Sequence, residues 1–479
     1  MAPSLINTEL DQFVEADDLR NAFVLSLSSM YKKEVPLYGD LIRLVTAVNR
    51  ETLETSANPK IEALQHGGVA KERLDIERHG AIRLGTPHEL RTVKRMCAVL
   101  GMYPIGYYDL SPAGLPMHAT CFRPKTKPAL TKNPFRIFTS LLRPELIHDG
   151  EAKDMALELL SRRSIFSDEL IGMIEEAEGQ GGRLQARHAE PFVREAMKTF
   201  GWQPVAAASR EVYSKLQSAH PILADIACFH SAHINHLTPR TLDISVAQQR
   251  MKDEGMAAKA NIEGPPARSC PILLRQTSFL ALEEPISFLA SDGLLQSGSH
   301  KARFGEIEER GAAVTLKGRI LYDALLEKTQ QAMDEDGSKE LETVLAKNFE
   351  EFPDNWIDLR REGLVYFEYR CLEGGLKIRS QSHSIEGLIK DGIVEATPIT
   401  YEDFLPMSAA GIFQSNLGSR MPPSMQFNGR NLAIGQSALE AALGSTITDM
   451  HTLYEEIQTA SLRECALELG FTEDEFIEG

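Results

Sequence analysis

Residues 231–244 read SAHINHLTPRTLDI, and this stretch decides how the rest of the chain is interpreted. It holds two histidines, His233 and His236, three residues apart in an apolar run. Pro239 and the branched neighbours favour a strand over a helix. Because side chains alternate between the two faces of a strand, the histidines point to opposite faces, and at most one of them enters a given site. Arg240 lies four residues after His236 and shares its face.

An earlier segment repeats this pattern. His79 and Arg83 have the same H-x-x-x-R spacing as His236 and Arg240, and each pair opens a strand-like segment followed by a helix-like stretch that ends at Gly-Met. The echo predicts two matched modules, each beginning with a strand that carries a histidine. An imidazole beside a guanidinium on one strand face suits a metal ligand next to a group that binds a substrate carboxylate.

The ordinary alternative is a strand histidine satisfied by backbone groups, with an arginine in a surface ion pair. The echo favours the functional interpretation for His79 and His236 alone. The ordinary interpretation is kept for His66, His88, His148, His188, His220, His233 and His451.

A carboxylate that could complete such a site lies in KARFGEIEERGAAVTLKGR, residues 301–319. Non-haem iron is typically held by two histidines and one carboxylate on one side, which leaves positions open on the other. Glu306 and Glu308 alternate to the same strand face, and Glu309 points to the opposite one. A solvated edge strand is an equally ordinary interpretation of this acidic run. The spacing alone does not choose between Glu306 and Glu308.

Composition bounds the class of protein. A chain of 479 residues predicts more than one packed unit, and 43% hydrophobic with 25% charged residues is typical of a globular protein. No apolar run has the length of a membrane span, and the N-terminal residues resemble neither a secretory signal nor a transit peptide. The six cysteines stand singly without C-x-x-C, which favours a reducing cytosol. A net charge of -17 argues against a nucleic-acid partner.

The pattern of predicted elements indicates an α+β fold. Thr86, Pro87 and Glu89 predict a capped helix, which Gly101 ends. The predicted parts are an N-terminal helical segment (1–60), a first βαβββ-like module (61–130), a helical insertion (131–224), a second βαβββ-like module (225–325) and a mixed C-terminal part that covers the site (326–479).

Several long motifs carry a family resemblance. They are ERHGAIRLGT, GYYDLS, INHLTPRTLDI, EGPP, PILLRQTSF, ARFGEIEERG and YEDFLPMSAAGIFQSNLG, in this order along the chain. Together they resemble the 2-oxoadipate dioxygenase/decarboxylase family, and the likeness extends from near residue 31 to near residue 470. The fold of that family is similar to the vicinal-oxygen-chelate enzymes, so the resemblance implies a core of two βαβββ-type modules.

The resemblance also implies a site. It implies an Fe(II) ion bound by His79, His236 and Glu306, with Glu306 preferred to Glu308, and it implies that Arg83 anchors a substrate carboxylate. The implied reaction converts 2-oxoadipate and O2 to 2-hydroxyglutarate and CO2, in lysine breakdown.

Three further residues are implied near the substrate. The loop FLPMSAAG would line it, with Met407 and Ser408 in contact, although Met407 stands where a smaller branched residue is usual in the family. Gln276 is either a polar group of the pocket or a structural hydrogen-bonding residue.

Two other functions fit the same residues. A glyoxalase-type lyase or isomerase would use Zn or Ni and need no oxygen, because two histidines and a glutamate suit several metals. A non-catalytic sensor of diacids would use the metal as a clamp. Without the resemblance, the residues predict only a metal-dependent enzyme that acts on an acidic small molecule. No pattern predicts the oligomeric state.

Overall fold

The N-terminal part of the chain is helical, as predicted. The computed structural model describes residues 12–55, 70–290, 292–335, 340–373, 384–405 and 429–471. It begins with the helices α1 (Ala16–Glu34), α2 (Pro36–Thr55) and α3 (Ala70–Ile76). Pro36 is the first residue of α2, a position where the missing N–H of proline costs nothing. The buried faces of α1 and α2 supply large apolar side chains such as Phe23, Leu27 and Leu41 to the core.

The first module begins with the predicted order of strand, helix, strand and strand, and a second, short helix then precedes its fourth strand. Its elements are β1 (Arg78–Leu84), α4 (Pro87–Val99), β2 (Tyr103–Asp109), β3 (Met117–Arg123), α5 (Lys127–Lys132) and β4 (Arg136–Leu142). The predicted capping box is confirmed, since Thr86 and Glu89 each accept a hydrogen bond from the other's backbone N–H.

Strand β4 lies within 131–224, where a helical insertion was predicted, and for this segment the prediction is wrong. Its sequence RIFTSLL is buried along its whole length. The strand pairs with β3 along one edge and with β1 along the other, and the burial of every residue shows that both of its faces are covered. A strand covered on both faces lacks the alternation by which a strand is recognised in sequence. The helical insertion therefore begins after β4.

The insertion is mostly helical. It contains α6 (Gly150–Arg162), α7 (Asp168–Gly179), α8 (Ala186–Phe200), β5 (Val205–Ala206), α9 (Arg210–Ala219) and α10 (Pro221–Ala227). Asp149, Ser167 and Ser209 cap the N-termini of α6, α7 and α9, where their side chains accept backbone N–H groups.

The second module departs from the predicted βαβββ pattern. It contains β6 (His236–Pro239), α11 (Ile244–Asp253), β7 (Leu274–Ser278), β8 (Glu283–Leu289), β9 (Leu295–Lys301) and β10 (Glu306–Arg310). β7 and β10 pair with each other, whereas β8 and β9 form a hairpin that joins β5 in a separate sheet. Two strands of the module, β8 and β9, therefore form a sheet with β5 of the insertion and do not pair with β7 and β10.

The C-terminal part mixes helices with a small sheet. It contains α12 (Leu316–Glu335), α13 (Leu341–Asn348), α14 (Trp356–Arg361), β11 (Phe367–Cys371), α15 (Ile385–Lys390), β12 (Val394–Pro398), α16 (Gly429–Leu443) and α17 (Met450–Leu469). Short 3-10 turns occur at Ser111–Ala113, Pro144–Leu146 and Phe349–Glu351. The predicted α+β class is confirmed. No helix in the described ranges combines the length and the apolar character that crossing a membrane requires.

The central sheet brings three separate strands side by side. Its order is β2-β3-β4-β1-β6, with β6 antiparallel to β1. β10, which pairs with β7 in a separate two-stranded sheet, lies beside β6: directly after β6, Arg240 and Glu308 form an isolated parallel bridge, and the Thr241 N–H donates to the Glu308 carbonyl at 2.7 Å. The strands β1, β6 and β10 are therefore neighbours, although they lie far apart in the chain.

Alternation along these three strands separates apolar from polar side chains. Ile82 on β1, Leu237 on β6 and Ile307 on β10 belong to the core that also contains Phe23 and Leu27 of α1. Because strand side chains alternate with a period of two, the residues at odd spacing from these point to the opposite face. That face carries histidines and glutamates, so the core helices fix the orientation of the polar side.

Tyr31 of α1 ties the starts of β6 and β10 together. Its hydroxyl lies 2.9 Å from the Asn235 carbonyl and 2.8 Å from the Phe304 carbonyl, and the Phe304 N–H donates to the same Asn235 carbonyl at 3.1 Å. Asn235 directly precedes β6, and Phe304 lies two residues before β10. One buried hydroxyl thus links α1 to both strands.

Tyr31→Phe is expected to lower the free energy of unfolding by about 1–3 kcal/mol, since it removes the buried hydroxyl donor that the Asn235 and Phe304 carbonyls share. Tyr38→Phe is the matched control. Tyr38 is equally buried and packs against Tyr31, but its hydroxyl hydrogen-bonds to the side chain of Ser28, at 3.3 Å, and not to a strand carbonyl of the described residues. Urea unfolding monitored by circular dichroism measures both changes. A loss in Tyr38→Phe equal to or larger than that in Tyr31→Phe would contradict this role.

Candidate metal centre

The structure brings together the three side chains that the family resemblance implies as ligands. His79 lies on β1, His236 on β6 and Glu306 on β10. In the β1–β6 register, Thr238 is opposite His79 and Ala81 is opposite His236, so the two imidazoles are diagonal neighbours on one face. Their ring centroids are 5.4 Å apart with an interplanar angle of 88°.

The donor atoms of this cluster lie close together and are buried. Glu306 Oε2 is 3.3 Å from His79 Nε2 and 3.2 Å from His236 Nε2, and the side chains of all three residues are at most 5% exposed. Thr238 donates its hydroxyl to the same oxygen at 3.1 Å. Glu306 Oε1 and His236 Nδ1 are buried and have no hydrogen-bond partner within the described part of the chain. An unpaired carboxylate oxygen in such a place is costly unless a cation binds it.

Glu308 has a different position from Glu306. Its Oε2 lies 2.9 Å from His79 Nδ1, on the side of the ring away from the cluster. Arg310 grips the same carboxylate with two contacts, Nε to Oε1 at 2.9 Å and Nη2 to Oε2 at 2.8 Å. Burial opposes ionisation, but Arg310 and His79 outweigh it and hold the pKa of Glu308 well below its usual range. An ionised Glu308 accepts the Nδ1–H of His79 and leaves Nε2 with a lone pair for a metal.

The electrostatics of the cluster favour a bound cation. Burial alone would lower the pKa of His79, but Glu308 and Glu306 outweigh it and raise that pKa above its usual value. Burial, with the positive charges of His79 and Arg83, lowers the pKa of His236 well below its usual value. The imidazole of His236 is therefore neutral, as a metal ligand must be. The carboxylates of Glu306 and Glu308 favour a positive charge beside His79, which a bound cation would supply.

A buried network of arginines and acids surrounds Glu308. Glu77, which precedes β1, contacts Arg73 at 3.0 Å, Arg136 at 2.9 Å and Arg240 at 3.1 Å. The sequence pattern suggested that Arg240 would bind a substrate carboxylate beside His236. In the structure, its Nη1 instead donates a hydrogen bond to Glu77. This network was not predicted, because its members are brought together by strands distant in sequence.

Two acids near the end of the segment 384–405, Glu402 and Asp403, connect this segment to buried arginines around the cluster. Glu402 contacts Arg73 at 2.6 Å and also pairs with Arg136, while Asp403 accepts two hydrogen bonds from Arg123, both at 2.8 Å. The next residue, Phe404, packs edge-on against His79 with 4.9 Å between ring centroids. The segment therefore covers one side of the cluster. The predicted contact residues Met407 and Ser408 lie outside the described residues.

Two further predicted site residues, Arg83 and Gln276, lie on β1 and β7. Arg83 follows His79 along β1 by four residues, is buried, and its Nη1 lies 2.5 Å from Asp225 Oδ2. Gln276 on β7 is opposite Glu308 in the register, and it is buried. Its Oε1 has no hydrogen-bond partner among the residues that are described. This oxygen can therefore accept a hydrogen bond from a ligand or a water molecule.

The donor set fits a divalent transition metal. Two imidazoles and one carboxylate on one side, with no fourth protein ligand in the cluster found among the described residues, match the arrangement that non-haem Fe(II) enzymes use. A sheet that carries such a buried cluster is typical of a metal-dependent enzyme.

Comparison with known proteins identifies the family. A family model described as 2-oxoadipate dioxygenase/decarboxylase matches residues 23–416. A protein of that name from Pseudomonas putida is 46% identical over 468 residues, which cover 96% of this chain and 98% of that protein. One from Escherichia coli is 46% identical over 457 residues, covering 95% and 99%. The chain belongs to the 2-oxoadipate dioxygenase/decarboxylase family, as the sequence motifs predicted.

A solved structure extends the likeness to the fold. The crystal structure of the hydroxyglutarate synthase from Pseudomonas putida in complex with 2-oxoadipate has a TM-score of 0.86 and 44% sequence identity, and the match covers 96% of this chain and 99% of that one. The fold described above is therefore that of a solved family member.

Glu308→Gln is expected to weaken metal binding about 10- to 100-fold, because a neutral amide no longer orients His79 or raises its basicity. Glu309→Gln is the matched control, since Glu309 lies on the same strand but faces away and accepts the Ile244 N–H. Competition with a chelator under nitrogen measures both affinities. An equal loss in the two variants, or none in Glu308→Gln, would show that Glu308 does not support the metal through His79.

Proposed function

We propose that this chain is an Fe(II)-dependent oxygenase in which His79, His236 and Glu306 hold the iron, and that it converts 2-oxoadipate and O2 to 2-hydroxyglutarate and CO2. The observation that carries the proposal is the buried cluster itself, in which Glu306 Oε1 has no hydrogen-bond partner among the described residues, in a chain of this family. The reaction balances: one oxygen atom of O2 enters the new carboxylate and the other the hydroxyl group. A place in lysine breakdown and a cytosolic location are parts of the same proposal. The free thiols of all six cysteines, each in a described range, fit a reducing compartment.

The residues around the cluster have complementary tasks. When bound, a ferrous ion supplies Lewis acidity toward a 2-oxo acid and redox chemistry with dioxygen. Glu308 and Arg310 fix the ring of His79, and the Thr238 hydroxyl fixes Glu306. Such fixed donors hold the ligand geometry at no cost during the reaction.

Aromatic rings shield the cluster from water. Phe404 packs on His79, and Phe304 packs on His236 with 4.7 Å between ring centroids. Exclusion of water protects a reactive oxidant from side reactions and strengthens the electrostatic contacts inside the site.

A dicarboxylic substrate needs a second anchor away from the metal. Arg83 lies on the same strand face as His79, four residues further on, which corresponds to about 13 Å between Cα atoms. That separation suits a short diacid whose 2-oxo end lies at the metal and whose distal carboxylate meets the guanidinium. Gln276 would contact the ligand from β7, the strand paired with β10, and Met407 and Ser408 remain predicted contacts.

The proposed activity is tested with protein purified without oxygen and loaded with one equivalent of Fe(II). We expect 2-oxoadipate to trigger O2 consumption and CO2 release in equal amounts, and we expect Zn(II)-loaded protein to do neither. Turnover of a 2-oxo acid without O2 consumption would instead support the glyoxalase-type alternative. Stoichiometric binding without CO2 release would support a sensor.

Arg83→Ala is expected to raise the KM for 2-oxoadipate and lower kcat, together about 100-fold or more in kcat/KM, while iron content stays at the wild-type level. Arg83→Lys keeps the charge but loses the planar fork, so its loss should be intermediate. Steady-state O2 consumption and iron analysis give the two readouts. Loss of iron in Arg83→Ala would contradict its assignment to the substrate.

A further inference from the structure

A second buried polar cluster lies under Arg83, with Asp225 of α10 at its centre. Asp225 Oδ2 is 2.5 Å from Arg83 Nη1. Its other oxygen, Oδ1, is 3.0 Å from His233 Nε2 and 2.9 Å from His300 Nε2. The exposed fractions of these four side chains are 4% or less. His300 is held in turn by the Tyr213 hydroxyl, 2.9 Å from its Nδ1.

Aromatic packing immobilises both imidazoles. Trp202 lies edge-on to His233 at 4.9 Å between ring centroids and stacks on His300 at 5.9 Å. Phe229 contacts the same two rings, at 5.5 Å and 4.7 Å. Rings packed this way have little rotamer freedom, so Asp225 has a fixed position.

This cluster has the residue types of a metal site, but its contacts indicate another role. The donor atoms of Asp225, His233 and His300 lie within 4.8 Å of one another, as do those of His79, His236 and Glu306. Here, however, both carboxylate oxygens already have donors, one of which is the permanent cation of Arg83. Burial opposes ionisation of Asp225, but Arg83 and the two histidines hold its pKa well below the usual range. Glu306, by contrast, keeps a buried oxygen without a partner among the described residues.

The cluster joins Arg83 to the helical insertion. Asp225 and Tyr213 come from α10 and α9, His300 comes from β9, and His233 precedes β6. A guanidinium has five N–H donors in a rigid plane, and a carboxylate at Nη1 sets the direction of that plane. The orientation of Arg83 therefore depends on the insertion rather than on β1 alone.

We propose that Asp225 is a positioning residue, which together with His233 and His300 aims the guanidinium of Arg83 at the distal carboxylate of the substrate. The proposal rests on the proposed function, in which Arg83 anchors a diacid. It assigns a role to the insertion: this part of the chain sets the preference for dicarboxylic over monocarboxylic 2-oxo acids.

The test compares two ligands that differ only at the distal end. Calorimetry without oxygen measures the binding of 2-oxoadipate and of 2-oxohexanoate to the Fe(II)-loaded protein. Asp225→Asn places an amide where Arg83 and the histidines all need a carboxylate. It is expected to weaken 2-oxoadipate binding about tenfold and to leave 2-oxohexanoate binding within about twofold. In the double variant Arg83→Ala with Asp225→Asn, no loss beyond that of Arg83→Ala is expected, because Asp225 acts through Arg83.

Controls separate this role from a general effect on folding. Asp17→Asn breaks another acid–arginine pair, with the buried Arg20 at 2.6 Å, and should leave the ratio of the two affinities unchanged. His300→Gln is a second, milder variant should Asp225→Asn fail to fold, and it should lower the ratio in the same direction.

Two results would overturn the proposal: an unchanged ratio of the two affinities in both the Asp225 and the His300 variant, or a second equivalent of tightly bound metal that His300→Gln removes. If Arg83→Ala itself keeps the preference for the diacid, the substrate assignment of the proposed function fails instead.

Discussion

The site depends above all on the antiparallel register between β1 and β6. This register places Ala81 opposite His236 and Thr238 opposite His79, which puts both imidazoles on one face and Leu237 in the helix-covered core. A slip of one residue would turn His236 into the core and Leu237 into the site, and it would bury an imidazole among apolar side chains. The apolar faces of α1 and α2 therefore protect the geometry of the metal ligands. Strand β10 then adds Glu306 from the other side of β6.

Buried charge is the second constraint. The face that carries the ligands also carries Glu77, Glu308, Arg136, Arg240 and Arg310, which are all buried. Such charges persist because each has partners of opposite sign, and removing one partner typically costs about 3–5 kcal/mol. Two networks follow from the same rule. Around Glu308 the charges orient a metal ligand, and around Asp225 they orient the arginine proposed to bind substrate. In the proposed function, these two networks orient the groups that meet the two ends of the substrate.

Much of the site could be predicted from sequence because its signals are local. The repeated H-x-x-x-R pattern pointed to His79 and His236, and alternation in GEIEE put Glu306 and Glu308 on one face. The spacing left the choice between these two glutamates open, the family resemblance preferred Glu306, and in the structure Arg310 pairs with Glu308. Odd spacing excluded His233 from the metal cluster, and it lies instead with Asp225. What could not be predicted depends on distant pairing: β4, the hairpin that joins β5, the role of Arg240, and the acids near residue 403.

The most direct test of the metal assignment is anomalous X-ray scattering at the iron edge from crystals of protein loaded with Fe(II) in the absence of oxygen. The geometry predicts one strong peak bounded by His79 Nε2, His236 and Glu306, with Glu308 outside the coordination sphere and no peak at Asp225. An iron peak coordinated by Glu308 or by Asp225, or no peak between the two histidines, would contradict the account.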